Sequence, residues 1–104
     1  MIKISVTYTR PSVSVPWHFE VVDMGAVNAL ASSAPWADKH QAKQTSDFVA
    51  NGAGTTLVSD VVWSTRADYD AFTATTEWQA YAAARDAYNA ANGITGTAVS
   101  YTTV

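Results

Sequence analysis

Apolar and polar side chains alternate strictly over residues 2–9. Ile2, Ile4, Val6 and Tyr8 fall on one face, and Lys3, Ser5, Thr7 and Thr9 on the other. That period of two predicts a half-buried strand, which Pro11 ends. Over residues 11–22, Trp17, Phe19 and Val21 alternate with His18, Glu20 and Val22, but Pro11 and Pro16 favour an extended loop. Asp23 is placed to cap a short helix over residues 24–33, with Val27, Leu30 and Ala31 facing inward and Pro35 as its stop.

Residues 41–50 and 55–64 read as two strands joined by Asn51-Gly52-Ala53-Gly54, residue types that tolerate the positive φ of a tight hairpin. The second strand is apolar on both faces. Leu57, Val61 and Trp63 point one way, and Val58 and Val62, around Asp60, the other. Such a strand belongs in the middle of a sheet with cover on each side.

Thr65 predicts an N-cap, with Asp68 completing a capping box, and Tyr69 and Phe72 follow at helical spacing. Thr76 and Gln79 repeat the capping logic for a longer helix. On it Tyr81, Ala84, Tyr88 and Ala91 form one apolar stripe flanked by Trp78 and Arg85. Asn92-Gly93 marks its end, with Gly93 suited to the left-handed position. Residues 95–103 alternate again, with Val99 and Tyr101 as markers, and form a last strand.

The order is β-α-β-β-α-β in an α+β, ferredoxin-like arrangement: a four-stranded antiparallel sheet with helices on one face. The hairpin around Asn51-Gly52, Val62-Trp63-Ser64-Thr65, Tyr69-Asp70-Ala71-Phe72 and the run from Ala84 to Gly93 resemble the dimeric α+β barrel group. They are most similar to small, functionally unassigned members known from environmental and marine sequences. The resemblance covers mainly residues 51–94. It implies two subunits pressing their sheets together, in a group that includes cofactor-independent monooxygenases, isomerases, dehalogenating enzymes and haem-binding proteins. None of the matching words is a catalytic motif, so the resemblance assigns no functional residue here.

Composition narrows the function classes. A chain of 104 residues reads as one domain. Charged residues make up 14% against an ordinary share of about 25%. A second subunit covering part of the surface would explain that, and so would solvation by the many Thr, Ser, Asn and Gln side chains. The net charge of −3 and the scattered Lys and Arg argue against nucleic acid and against an anionic membrane surface. There is no cysteine, hence no thiolate site. The N-terminal alternation is unlike a secretion signal, and no apolar run spans a bilayer. The expectation is a soluble, cytoplasmic homodimer.

Candidate chemistry is sparse. His18 lies between aromatics in Pro16-Trp17-His18-Phe19, where an enclosed imidazole can serve as a base. With Trp17, Tyr8 and Trp63 it forms the candidate lining of a pocket for a small apolar ligand. A loop anchored by aromatics, with His18 simply hydrogen-bonded, is the plainer reading. Asp38 and His40 could join His18 around a metal, but a third well-placed ligand is lacking, so a solvated loop is expected, with no metal and no cofactor. Asp60, inside an apolar strand, is expected to pair structurally, and Arg85 to stack on an aromatic ring or reach an anionic ligand. Two functions follow: a non-catalytic binding or structural module, or a cofactor-independent monooxygenase- or isomerase-like enzyme acting on a small apolar or aromatic compound between sheet and helices. A solvent-connected cavity with a polar group inside would favour the second.

Overall fold

The computed structural model describes residues 1–46 and 54–104, and of residues 42–46 the backbone. Strand β1 (Ile2–Thr9) is followed by a helical turn α1 (His18–Val21) and a short helix α2 (Gly25–Ala31). Strands β2 (His40–Ser46) and β3 (Thr56–Trp63), helices α3 (Arg66–Thr73) and α4 (Thr76–Asn92), and the short strands β4 (Thr95–Gly96) and β5 (Ser100–Thr103) complete the order. The expected turn at 51–54 lies outside the described residues except for Gly54, whose φ is +70°.

All pairings are antiparallel, in the order β2-β3-β1-β4, with β5 also on β1. The doubly apolar β3 is thus a central strand, and the topology is ferredoxin-like. Ile4 and Tyr8 of β1 share a face with Leu57 and Trp63 of β3, and all four are buried beneath the helices. Val27, Phe72 and Tyr81 close one part of that core; Trp17 and Ile94 close the other. The opposite face carries half-buried Lys3, Ser5, Thr7, Val58, Asp60 and Val62. There the Ser5 hydroxyl donates to the Asp60 carboxylate from the directly opposed position, so Asp60 has a structural partner, as the sequence suggests.

Three local readings need correction. The segment 11–22 is not wholly extended: after Pro16 it makes one helical turn, held by Glu20, whose carboxylate accepts from the Trp17 N–H at 2.7 Å. The cap of α4 is Thr75 rather than Thr76, its hydroxyl accepting from the Trp78 N–H at 3.3 Å. The last strand is broken. β4 pairs Gly96 with Tyr8, and β5 pairs Ser100 with Ser5, so Val6 and Thr7 oppose the three residues 97–99. One extra residue is a β-bulge. It is fastened by Thr97 N–H to the Thr7 carbonyl and Thr7 N–H to the Thr97 hydroxyl, both 3.0 Å. Strict alternation over 95–103 hides such an insertion, because it reverses the inward parity midway.

The Thr65 cap stands where the sequence puts it, accepting from the Asp68 N–H at 3.1 Å. Asp23 lies one residue outside α2, whose N-cap is Met24, and accepts from the Gly25 N–H at 2.8 Å. Gly93 ends α4 in the left-handed conformation, φ 70°.

Candidate functional site

Helix α4 lies over the sheet with a face different from the one its alanines predict. Ala84 and Ala91 are exposed. Tyr81 and Asn89 are buried, and Trp78 and Arg85 on the same face are half-buried. The inward stripe is therefore Trp78, Tyr81, Arg85 and Asn89, spaced by three, four and four residues. A stripe drawn through small apolar residues misses it because alanine tolerates either side. The informative signal is the two polar residues in helical phase with Trp78 and Tyr81. Polar side chains at core-facing positions carry a desolvation cost that ordinary packing does not repay.

These residues border two connected spaces between sheet and helices. The inner chamber, about 180 Å³, is lined by Tyr8, His18, His40, Trp63, Phe72 and Tyr81 among others. The outer cleft, about 500 Å³, opens past Asn89, Gly96, Thr97 and Val99, along the bulge. Tyr8, Ser59, Val61, Tyr69, Trp78 and Arg85 line both, so Arg85 stands at the junction.

Of the residues singled out from the sequence, Tyr8, His18 and Trp63 border the inner chamber. Trp17 does not. It is buried beside Leu57 and Ile94, under the Arg10 guanidinium at 4.5 Å from its ring centroid. Arg10 in turn donates to the carbonyls of Gly54 and Val15, so Trp17 belongs to an anchor that fastens the α1 segment to the end of β1. The Tyr88 hydroxyl adds a bond to the Pro16 carbonyl at 2.5 Å. His40 is not on a solvated loop. It opens β2, its Nε2 lies 2.9 Å from the Ala31 carbonyl, and its ring leans on Trp63 at 5.0 Å. Among the described residues, no three His, Asp or Glu side chains come together to hold a metal ion.

His18 is almost completely buried, with its ring edge-on to Tyr8 at 4.7 Å. Burial and repulsion from Arg85 lower its pKa to about 4, against smaller opposing effects of Asn89 and Asp86, so the ring is neutral at pH 7. Asn89 lies close enough to favour the protonated ring. Yet His18 Nδ1 and Asn89 Oδ1 are both buried without a hydrogen bond of normal geometry. Burial raises the Tyr8 pKa, partly offset by Arg85, so Tyr8 remains a phenol and a donor. Arg85 spends its Nε on Asp86, 3.1 Å away at the exposed end of the site. Its guanidinium carbon lies 5.7 Å from the Tyr81 ring centroid and 5.9 Å from that of Trp78. A neutral imidazole, a phenol and a guanidinium thus line the aromatic inner chamber, with Asn89 beside them at the outer cleft.

No protein-family model matches the sequence, and no curated protein matches it. Similar folds occur among solved structures. SnoaB, a cofactor-independent oxygenase from Streptomyces nogalater, is 14% identical and superposes with a TM-score of 0.64 over 99% of this chain and 91% of its own. An asparagine-to-alanine mutant of it gives 0.68, at the same identity and coverage. A Deinococcus radiodurans structure named as a candidate antibiotic biosynthesis monooxygenase gives 0.62 at 14% identity, over 100% of this chain and 92% of its own. At such identities the likeness is one of fold. Among the described residues, no helix is long and apolar enough to cross a membrane.

Proposed function

We propose that this chain is a cofactor-independent oxygenase acting on an electron-rich, hydroxylated aromatic compound held between the sheet and α4. One observation carries the reading: Arg85 takes an inward position on α4 and, with His18 and Tyr8, brings polar groups to an aromatic chamber. A structural module has no use for that arrangement, which costs stability. Support also comes from the fold, which the Streptomyces oxygenase shares at low identity. These two supports favour the enzyme over the non-catalytic module, which the sequence alone left as the first reading.

The chemistry needs no external reductant. A phenol loses its hydroxyl proton, and the phenolate passes an electron to O2. The resulting pair joins at the ring carbon opposite the oxygen, forming a hydroperoxide. Loss of water, with the proton from that carbon, leaves a second carbonyl. The net change is phenol plus O2 to quinone plus water, and the substrate supplies every electron. In this reading Arg85 offsets the negative charge of the bound anion, as preorganised cations do in dry sites. The His18 ring takes the proton in the same reading. At a pKa of about 4 it is a weak base, but part of that depression comes from Arg85. An anion bound to Arg85 cancels that repulsion and moves His18 toward the useful range.

We also infer that the chain works as a homodimer through the open sheet face, where Val58 and Val62 sit among half-buried polar side chains.

An oxygen electrode tests the activity. In chelator-treated buffer, a panel of electron-rich phenols should show enzyme-dependent O2 uptake. His18→Asn and Arg85→Gln should each lower it by at least about 100-fold, the lower range for removing a proton-transfer group or a preorganised charge. Binding of these phenols without any uptake above the uncatalysed rate would return the chain to the non-catalytic reading.

A further inference from the structure

The terminal nitrogens of Arg85 have no hydrogen-bond acceptor among the described residues, because its one polar partner, Asp86, meets Nε. The side chain is only 21% exposed. A largely buried guanidinium with an unused fork is a demanding feature, since the planar pair of N–H groups matches a carboxylate in two parallel bonds. The space on either side of it is unequal. The inner chamber, about 180 Å³, is near the size of a cavity that accepts a single benzene ring, about 150 Å³. Its walls are ring faces and edges from Trp63, Phe72, Trp78 and Tyr81, in mutual contact at 5.0–5.8 Å between centroids. A fused system of three or four rings does not fit there. It would have to lie in the outer cleft, away from His18.

We propose that the ligand is a single-ring phenolic carboxylate, its ring in the inner chamber beside His18 and its carboxylate paired with the Arg85 fork at the mouth of the outer cleft. This specifies the substrate class for the oxygenase reading above and rests on that site. The carboxylate supplies the acceptors that Arg85 lacks, and a neutral ligand does not. The outer cleft, bordered by Asn89, Thr97 and Val99, leaves room for a short substituent between ring and carboxylate.

Binding is measured by calorimetry under nitrogen, so that turnover plays no part. The probes are 3-hydroxyphenylacetate, whose ring carbon opposite the hydroxyl carries hydrogen, its neutral amide 3-hydroxyphenylacetamide, and a fused-ring acid, anthracene-9-carboxylate. The proposal expects the amide to bind at least tenfold more weakly than the acid, and the fused-ring acid also more weakly. Arg85→Gln should erase the preference for acid over amide. Bound acid should also raise the His18 pKa in an NMR titration of the wild-type protein. Equal binding of acid and amide to the wild-type protein overturns the proposal, whether or not the variant folds. So does a preference that survives Arg85→Gln, or tighter binding of the anthracene acid. The oxygenase reading fails separately: if the phenolic acids bind with this preference but none consumes O2, the ligand class stands and the oxygenation does not.

Discussion

The ring of Tyr8, from the first strand, meets the ring of His18, from the first helical turn, edge-on at 4.7 Å. This contact joins the sheet to the α1 segment at the wall of the inner chamber. Tyr8 is held there because its cross-strand partner is Gly96, where an added Cβ would come within 3.0 Å of the Tyr8 ring. Gly96→Ala must therefore displace the phenol or deform the bulge. The expected loss is about 1–3 kcal/mol, as for other overpacked sites, read from the denaturation midpoint. An unchanged midpoint would show that the ring has room to move.

His18 gives the fold a pH dependence of definite sign. Its pKa is about 4 in the folded chain and near 6.5 when unfolded. Between those values the unfolded chain binds more protons, so stability is greatest above pH 6.5 and declines as pH falls toward 4. The loss is on the order of 2–3 kcal/mol. Thermal unfolding of the wild-type protein should show this decline. In His18→Asn the slope between pH 6.5 and 4 should be visibly shallower, and equal slopes would place the titration elsewhere.

Gly93 occupies positive φ at the end of α4, with Pro11 3.5 Å from where a Cβ would stand. A β-branched side chain resists that backbone region, so Gly93→Val should destabilise the fold by about 1–2 kcal/mol. Chemical denaturation measures it, and wild-type stability in the variant would contradict the assignment of the strain.

The proposed dimer links folding to association. A sheet-on-sheet contact of ordinary size would bury roughly 1,200–2,000 Å² in total, and the thermal midpoint should then rise with protein concentration. Light scattering at micromolar concentration should report twice the chain mass. A monomeric mass with a concentration-independent midpoint would show that the polar members of the open face, Lys3, Ser5, Thr7 and Asp60, are solvated in a single chain.

Much of the fold was legible because its signals are local. The alternation of Ile2 to Thr9, the cap at Thr65 and the stop at Gly93 each act within a few residues. The site was less so. The inward phase of α4 depends on which side of the helix meets the sheet, and its alanines carry no preference. The bulge at 97–99 depends on pairing with β1, and the contact of His40 with Trp63 on the β2–β3 register. His18 and Tyr8 could be named as aromatic-pocket residues in advance. Asn89 could not, because a lone Asn near a helix end ordinarily reads as solvated.

The most direct test of the account is oxygen-isotope labelling. 3-Hydroxyphenylacetate, a single-ring phenolic acid with hydrogen opposite its hydroxyl, is incubated with the purified, metal-stripped protein under 18O2, and the product is analysed by mass spectrometry. The account predicts a quinone carrying one labelled oxygen, formed by the wild-type protein without added cofactor, and at least about 100-fold less of it with Arg85→Gln. Recovery of the unchanged acid, or of a product whose new oxygen comes from water, would contradict it.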